Sequence, residues 1–280
     1  MNQIFSPTLT SAAAVLQDRY RGGVPDVVEL NATLDLLFSH RSVRAYLPEK
    51  LPEGIVETLV AAAQSASSSS NLQVWSVVAV EDVARKARLA ALAGNQQHIL
   101  EAPLFLLWIL DLHRLTALGE ARGEPAGALT YLESFVLGAV DTALAAQNAV
   151  VALEWLGLGA VYIGGIRNHP AAVAAELGLP PQAFALFGLA VGKPDPTRPA
   201  RVKPRLPQDV VLFREKYEWG DAQQAGIAAY NERLRAFQSE QGLPVLDWTV
   251  QAGVRVRGPE AMSGRAGLRD VLQRLGFGLR

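Results

Sequence analysis

The most extended hydrophobic pattern lies in the middle of the chain. Between residues 132 and 156, apolar residues recur at spacings of three and four, which is the period of an α-helix with an apolar side. Two glycines, Gly157 and Gly159, then end the helix. Residues 160–163 are too few for a helix and are rich in β-branched and aromatic side chains, so they predict a buried strand that runs into Gly164 and Gly165.

A helix that is apolar on most sides is typical of a protein core or a subunit interface. Five polar residues interrupt the apolar residues of this one, namely Glu133, Asp141, Gln147, Asn148 and Glu154. No apolar run therefore approaches the roughly 20 residues that a bilayer requires. We predict a structural helix and no membrane span.

Helical and β-rich segments alternate along the rest of the chain. In order, the patterns predict helices at 11–20, 34–38 (capped by Thr33) and 52–63, a strand at 74–80, a helix at 83–92, a strand at 103–110, a helix at 170–177, a strand at 184–191, and helices at 221–238 and 265–275. Between residues 111 and 129 only a glycine-containing linker is expected. Residues 194–207 hold five prolines and are expected to form an extended loop.

The composition of the chain limits the classes of molecule that it is expected to bind. The chain has 280 residues, of which 50% are hydrophobic and 19% charged, enough for a substantial core. Its net charge of −1 supplies no basic field for nucleic acid or an anionic membrane. The expected partners are small molecules or a second copy of the chain.

The chain contains no cysteine, which excludes disulfides and thiolate metal sites. Its four histidines show no metal-binding spacing, so no metal is predicted. The first residues lack the order of a secretory signal, and a cytoplasmic location is therefore expected.

Three segments carry residues that suit a phosphorylated ligand: HRSVR at 40–44, the serine run at 67–70 with Gln73, and KPR at 203–205. Lysine, arginine and hydroxyl groups form the charge-assisted hydrogen bonds that a phosphate requires. Each segment alone is also typical of a solvated loop or a flexible connection. Their significance therefore depends on their order along the chain.

In that order the sequence resembles the oxygen-insensitive, NADPH-dependent nitroreductase and flavin reductase family, which uses flavin mononucleotide (FMN). The resemblance covers residues 32–220, with a looser tail. It includes HRSVR at 40–44, SSSSNLQ at 67–73, GNQQH at 94–98, GAVDTA at 138–143, AQN at 146–148, LGLGAVYIGGIRN at 156–168 and KPRLP at 203–207.

The resemblance implies an α+β fold with a mainly antiparallel central sheet flanked by helices, built as an intertwined homodimer with FMN at each subunit interface. Residues 1–30 are then an N-terminal extension, and residues 31–280 form one FMN-dependent domain. Its helical part from about 221 to 280 is expected to supply nucleotide, acceptor and dimer contacts. The implied FMN site comprises His40, Arg41, Ser42, Arg44, Ser68, Gln96, Tyr162, Ile163, Gly164, Gly165, Lys203 and Arg205.

The chemistry of these side chains indicates which part of the cofactor each of them would contact. His40, Ser42, Lys203 and Arg205 suit the phosphate. Arg44 and Gln96 suit the polar edge of the isoalloxazine ring, and glycine at 164 allows the backbone to approach the ring closely.

The family reaction is a ping-pong transfer of two electrons from NADPH, through FMN, to a nitroaromatic, a quinone or free flavin. The cofactor performs the bond-making steps, so no catalytic side chain is expected.

Two residues depart from the family pattern. Gln241 stands where the family carries an arginine that selects the 2′-phosphate of NADPH, which predicts a smaller preference for NADPH over NADH. Asn71 stands where an aromatic residue often covers the acceptor pocket. Two alternatives remain: other flavin chemistry on the same fold, and an FMN-binding or flavin-storage protein without enzymatic activity.

Overall fold

The computed structural model describes residues 12–26 and 31–280. The α-helices are α1 (Ala12–Tyr20), α2 (Ala32–Phe38), α3 (Ile55–Gln64), α4 (Val83–Leu92), α5 (Gln97–Glu101), α6 (His113–Arg122), α7 (Leu132–Trp155), α8 (Pro170–Leu177), α9 (Gln208–Val211), α10 (Asp221–Glu240), α11 (Trp248–Val256) and α12 (Leu268–Arg274). The strands are β1 (Trp75–Val80), β2 (Leu104–Asp111), β3 (Gly159–Ile163) and β4 (Ala183–Gly192). Short 3₁₀ helices lie at Ser69–Asn71, Gly127–Thr130, Gly164–Asn168, Pro259–Met262 and Arg265–Gly267.

The chain divides into two compact units. The first contains the described residues of Met1–Arg41 together with Arg201–Met262, and the second contains Ser42–Ala200 with Ser263–Arg280. In the first unit, Tyr230, Leu234 and Phe237 on α10 form a small core against Leu206 and Trp248. The division into an extension and a single domain stays a prediction.

The second unit is built on one four-stranded sheet of order β1-β2-β4-β3, in which every pairing is antiparallel. All four strands were predicted, and the expected α+β class with an antiparallel sheet is confirmed. Successive side chains of β2 point to opposite faces of the sheet, and both faces are covered. Leu104, Leu106 and Trp108 pack in one cluster, whereas Phe105, Leu107 and Ile109 pack in another.

Helix α7 covers the first of these faces together with α3. Ala145, Ala146, Ala149, Val150 and Leu153 of α7 are buried in the cluster that contains Leu106 and Trp108. Helix α7 approaches the sheet closely at Gly138, where a Cβ atom would lie 2.8 Å from Cγ of Leu110. The small residues of α7 therefore set its distance from the sheet.

By length and composition, α7 is the one helix of the described residues that could cross a membrane; its mean hydropathy reaches 1.5 over an 18-residue window, of which 44% is buried inside the protein. Core helices of soluble proteins meet the same criterion. We interpret α7 as such a core helix, because its buried face packs on α3 and the sheet.

Some local predictions were wrong. Asn31 rather than Thr33 caps α2, with its Oδ1 accepting a hydrogen bond from the Leu34 N–H at 3.0 Å. Residues 113–122, expected as part of a linker, form α6, and α5, α9 and α11 were not predicted. The predicted helix at 52–63 begins at Ile55. Of the predicted extension, residues 1–11 and 27–30 lie outside the described residues.

Candidate cofactor site

The predicted site residues are distributed over the two units. His40, Arg41, Lys203 and Arg205 belong to the first unit. The second unit holds the other eight, which are Ser42, Arg44, Ser68, Gln96, Tyr162, Ile163, Gly164 and Gly165.

In the first unit, the two basic segments are joined by Arg19, a residue that the sequence did not single out. The guanidinium of Arg19 donates hydrogen bonds to the carbonyl oxygens of His40 at 2.6 Å, Phe38 at 2.9 Å and Lys203 at 3.0 Å. The backbone N–H of Arg205 donates to the carbonyl of Arg19 at 2.9 Å. The structure thus brings together the backbone at His40 and the backbone at Lys203–Arg205.

The same region contains a cavity of about 500 Å³. It is lined by Tyr20, Lys203, Arg205, Leu206, Val211, Tyr230, Leu234, Trp248 and Gln251. The buried hydroxyl of Tyr230 donates to the carbonyl of Pro204 at 3.1 Å, and burial raises the pKa of that phenol. The Lys203–Arg205 loop is therefore fixed by α10 as well as by Arg19.

In the second unit, residues 42–46 lie along the sheet. The N–H of Val43 donates to the carbonyl of Ala160 on β3 at 2.9 Å. The buried hydroxyl of Tyr46 shares its one proton between two carbonyl oxygens, that of Val43 at 2.6 Å and that of Ala190 at 3.0 Å. Ser42 and Arg44 are consequently placed beside the strand that ends at Ile163.

The turn at the end of β3 has no room for a side chain at Gly165. Ile163 is fully buried, and the chain then turns into a 3₁₀ helix at Gly164. A Cβ atom at Gly165 would lie 2.3 Å from the carbonyl oxygen of Ala93 and 2.6 Å from Nε2 of Gln96. Because Gln96 itself donates to that carbonyl at 3.0 Å, the structure brings Gln96 and Gly165 into direct contact.

Cations surround this turn. The half-buried Arg167 donates to the carbonyl of Leu186, and a Cβ atom at Gly164 would lie 3.3 Å from its Nη2. Burial and then the neighbouring Arg265 lower the pKa of Arg167, which stays a cation because guanidinium does not lose its proton in proteins. Arg265 donates to Oδ1 of Asn168 at 3.0 Å.

His98 lies two residues after Gln96, in the first turn of α5, and is half-buried. Burial, and then the positive charge of Arg44, lower the pKa of His98, while Glu101 raises it by a smaller amount. Its Nε2 is buried and has no hydrogen-bond partner among the residues described. Burial and the charge of Arg44 therefore favour the neutral form of His98.

Ser68 lies on a loop that α7 holds. Its Oγ donates to Oδ2 of Asp141 at 2.7 Å, and the N–H of Ser69 donates to Oδ1 at 3.1 Å. Ser68 Oγ also accepts from the N–H of Gln73 at 2.8 Å. Asp141 was not predicted as a site residue, although a carboxylate in the middle of an apolar helix signals a buried acceptor that needs donors.

The exposed side of α7 borders a groove of about 410 Å³ that contains Tyr162. Its lining consists of Val140, Ala143, Leu144, Gln147, Tyr162 and Phe187. The hydroxyl of Tyr162 donates to Oε1 of Gln147 at 3.3 Å, and its ring packs edge to face on Phe187. The groove is almost wholly apolar.

Comparisons with known proteins agree with this architecture. The sequence model of the nitroreductase family matches residues 37–193, and that of the nitroreductase family C-terminal domain matches residues 203–280. The chain is similar to the FMN reductase (NADPH) of Bacillus subtilis, with 40% identity over 67% of this chain and 75% of the relative. It is also similar to the oxygen-insensitive NADPH nitroreductase of Salmonella typhimurium, with 38% identity over 76% of this chain and 85% of the relative.

A solved structure gives the same result at the level of the fold. The hypothetical oxidoreductase YcnD of Bacillus subtilis superimposes with a TM-score of 0.84 at 33% identity, covering 90% of this chain and all of that one. The fold is that of an α+β oxidoreductase. The chain belongs to the nitroreductase family, and the resemblance read from the motifs is confirmed.

Proposed function

We propose that this protein is an FMN-dependent oxidoreductase that takes hydride from NADPH and passes two electrons, in ping-pong order, to a nitroaromatic, a quinone or free flavin. Membership of the family and relatives named for NADPH, FMN and nitroreductase activity support the enzyme class and both cofactors. The ping-pong order and the range of acceptors go further and are part of the proposal. FMN, when bound, would accept the hydride from NADPH and pass the electrons to the acceptor.

The observation that carries the proposal is the glycine turn at the end of β3. Gly165 is packed too closely against Ala93 and Gln96 to carry a Cβ atom, and Gly164 next to it is only partly buried, so Gly164 presents its backbone at the surface without a side chain. A flat ring that must meet backbone N–H groups fits this feature. The residues present therefore fit FMN.

We assign the ring and the phosphate to different residues. Ser68, Gln96, Tyr162, Ile163, Gly164 and Gly165 would contact the ring, with Arg44 supplying positive charge at the edge where negative charge develops. The phosphate would be held by His40, Arg41, Ser42, Lys203 and Arg205, because these residues offer two or more cations and several N–H or O–H donors. The protein contributes orientation and charge rather than an acid or a base.

We further propose a homodimer in which a second copy covers α7. Leu132, Val136, Val140 and Leu144 recur every four residues on one side of α7 and are each 43 to 52% exposed. Together with the apolar groove at Tyr162, they form an exposed apolar surface, which is typical of a protein–protein interface. A cytoplasmic location, with no nucleic-acid or membrane partner, stays a prediction.

The phosphate assignment is tested by replacing Lys203 and Arg205 together with alanine. Each lost charge-assisted hydrogen bond costs about 1.5–3 kcal/mol, so the dissociation constant of FMN should rise by at least tenfold. Arg201→Ala, an exposed cation of the same loop that is not assigned to the site, serves as the control. If the double variant retains FMN as tightly as the parent, the assignment is wrong.

Enzymatic function is tested separately on the FMN-loaded parent protein. Steady-state oxidation of NADPH should be slow without an acceptor and fast with a quinone. A protein that binds FMN but oxidises NADPH at the same low rate in both conditions would instead be a flavin-storage protein.

A further inference from the structure

The N-terminal helix α1 lies outside both family matches, which cover residues 37–193 and 203–280. It nevertheless belongs to the same compact unit as two of the segments assigned to the FMN phosphate. Its last turn carries Arg19, whose guanidinium reaches the backbone at Phe38, His40 and Lys203. A residue of the extension thus contacts the backbone of both segments.

The hydrogen bonds of Arg19 determine the orientation of the backbone groups in these two segments. Guanidinium presents several N–H donors in a rigid plane, so three carbonyl oxygens bound to it are held in one fixed arrangement. The described peptide bonds are all trans, and in a trans peptide the C=O and N–H groups point in opposite directions. With the His40 carbonyl directed at Arg19, the N–H of Arg41 points away from α1.

The backbone of α1 adds a fourth link. The N–H of Arg205 donates to the carbonyl of Arg19 at 2.9 Å, which sets the position of the Arg205 main chain from which its side chain extends. Next to it, Tyr20 forms part of the wall of the cavity that Lys203 and Arg205 line. One residue therefore fixes both segments at their backbones and leaves the basic side chains of Lys203 and Arg205 at a cavity.

We infer that Arg19 is a positioning residue for the phosphate end of the cofactor, so that the N-terminal helix is part of the FMN-binding machinery of this protein. This inference rests on the proposed assignment of the phosphate to His40, Lys203 and Arg205. Arg19 does not touch the phosphate; it holds the segments that do.

Arg21, two residues further on, attaches α1 without contacting these segments through the hydrogen bonds described, and it therefore serves as a comparison for Arg19. Arg21 forms a bidentate ion pair with Glu240, at 2.6 and 2.7 Å, and its guanidinium lies 5.2 Å from the centroid of the Phe237 ring. The ion pair raises the pKa of Arg21 and lowers that of Glu240. Arg21 therefore attaches the end of α1 to α10, whereas the guanidinium of Arg19 donates to carbonyl oxygens of the 38–40 and 203–205 segments.

The experiment compares Arg19→Met, Arg19→Lys and Arg21→Met with the parent. Dissociation constants of FMN and of riboflavin, which lacks the phosphate, are measured on the apoproteins by flavin fluorescence. Thermal unfolding of each apoprotein is recorded as well. Riboflavin separates an effect on the phosphate from an effect on the ring.

We expect Arg19→Met to weaken FMN binding by about tenfold or more, the scale of one charge-assisted hydrogen bond, with riboflavin affinity changed less than about twofold. Arg19→Lys should fall between Met and the parent, because lysine keeps the charge but not the planar arrangement of donors. Arg21→Met should lower the unfolding temperature of the apoprotein and leave FMN affinity within about threefold of the parent.

The inference is overturned if Arg19→Met binds FMN within twofold of the parent, or if FMN and riboflavin lose affinity equally. It is also overturned if Arg21→Met weakens FMN as much as Arg19→Met does, since α1 would then act only by being attached. Failure of the inference differs from failure of the proposed function. In the first case the Lys203 and Arg205 double variant still loses FMN, and in the second case it does not.

Discussion

At the scale of single residues, we predict that the choice between NADPH and NADH depends on the charge near Gln241. Gln241 ends α10, is exposed, and is followed by the exposed apolar residues Leu243, Val245 and Leu246. No lysine or arginine occurs between Arg235 and Arg255, and Arg235 is paired with Asp247. A 2′-phosphate would meet little positive charge in this part of the sequence.

We therefore expect a modest preference for NADPH, below about a thousandfold in kcat/KM, because one arginine reaching the phosphate is worth about 1.5–3 kcal/mol. Gln241→Arg should raise the ratio of kcat/KM for NADPH to that for NADH by roughly ten- to a hundredfold, mainly through a lower KM for NADPH. Steady-state kinetics with both nucleotides measures this ratio.

The neutral variant Gln241→Met is the matched control for the change of side chain. An equal change for NADH and NADPH in Gln241→Arg would show that residue 241 does not contact the 2′-phosphate.

At the scale of elements, the serine loop is held in an unusual conformation by α7. Ser70, Asn71 and Gln73 have φ values of 49°, 55° and 51°, in the left-handed region that side chains disfavour. Such a conformation persists only where the surroundings impose it. Asp141, which is 2% exposed, imposes it here through the hydroxyl of Ser68 and the N–H of Ser69.

Asp141→Ala should therefore destabilise the protein by roughly 2–4 kcal/mol, because two donors lose a carboxylate acceptor. Denaturant unfolding of the parent, Asp141→Ala, Ser68→Ala and the double variant should reveal coupling between the two residues. Thr142→Val is the control, since the buried Thr142 hydroxyl donates at 2.6 Å to Gly138 within α7 and should cost less than about 1.5 kcal/mol. Additive losses for Asp141 and Ser68 would show that the loop is held by other contacts.

At the scale of the whole molecule, we expect a homodimer, because the apolar side of α7 is exposed in the single chain. Sedimentation of the FMN-loaded parent at micromolar concentration should give twice the chain mass. Val140→Glu places a charge in the groove beside Tyr162, where burial in an interface would be costly, and should shift the protein towards the monomer.

Val83→Glu is the matched control, because Val83 is 74% exposed at the first turn of α4, on a different element, where a carboxylate suits the helix dipole. It should sediment as the parent does. A parent protein that stays monomeric while binding FMN and oxidising NADPH would remove the dimer from the proposal.

The sequence by itself determined the four strands, α7, most of the longer helices and the family, because periodic burial and a set of collinear motifs are local properties of the chain. It did not determine the strand order β1-β2-β4-β3, since strand pairing depends on contacts between distant residues. Helices α6 and α11 were missed because neither has any buried residue to mark a core-facing side.

Only the tertiary structure decided which polar residues support the candidate site. Gln96 and Gly165 lie 69 positions apart in the sequence, and they meet because the turn between α4 and α5 packs in the same core cluster as Val161 and Ile163 of β3. Asp141 became the anchor of the serine loop through a contact across 73 positions, and Arg19 reached Lys203 across 184. Hydrogen bonds of this kind leave no period in the sequence, because each depends on two segments that folding alone brings together.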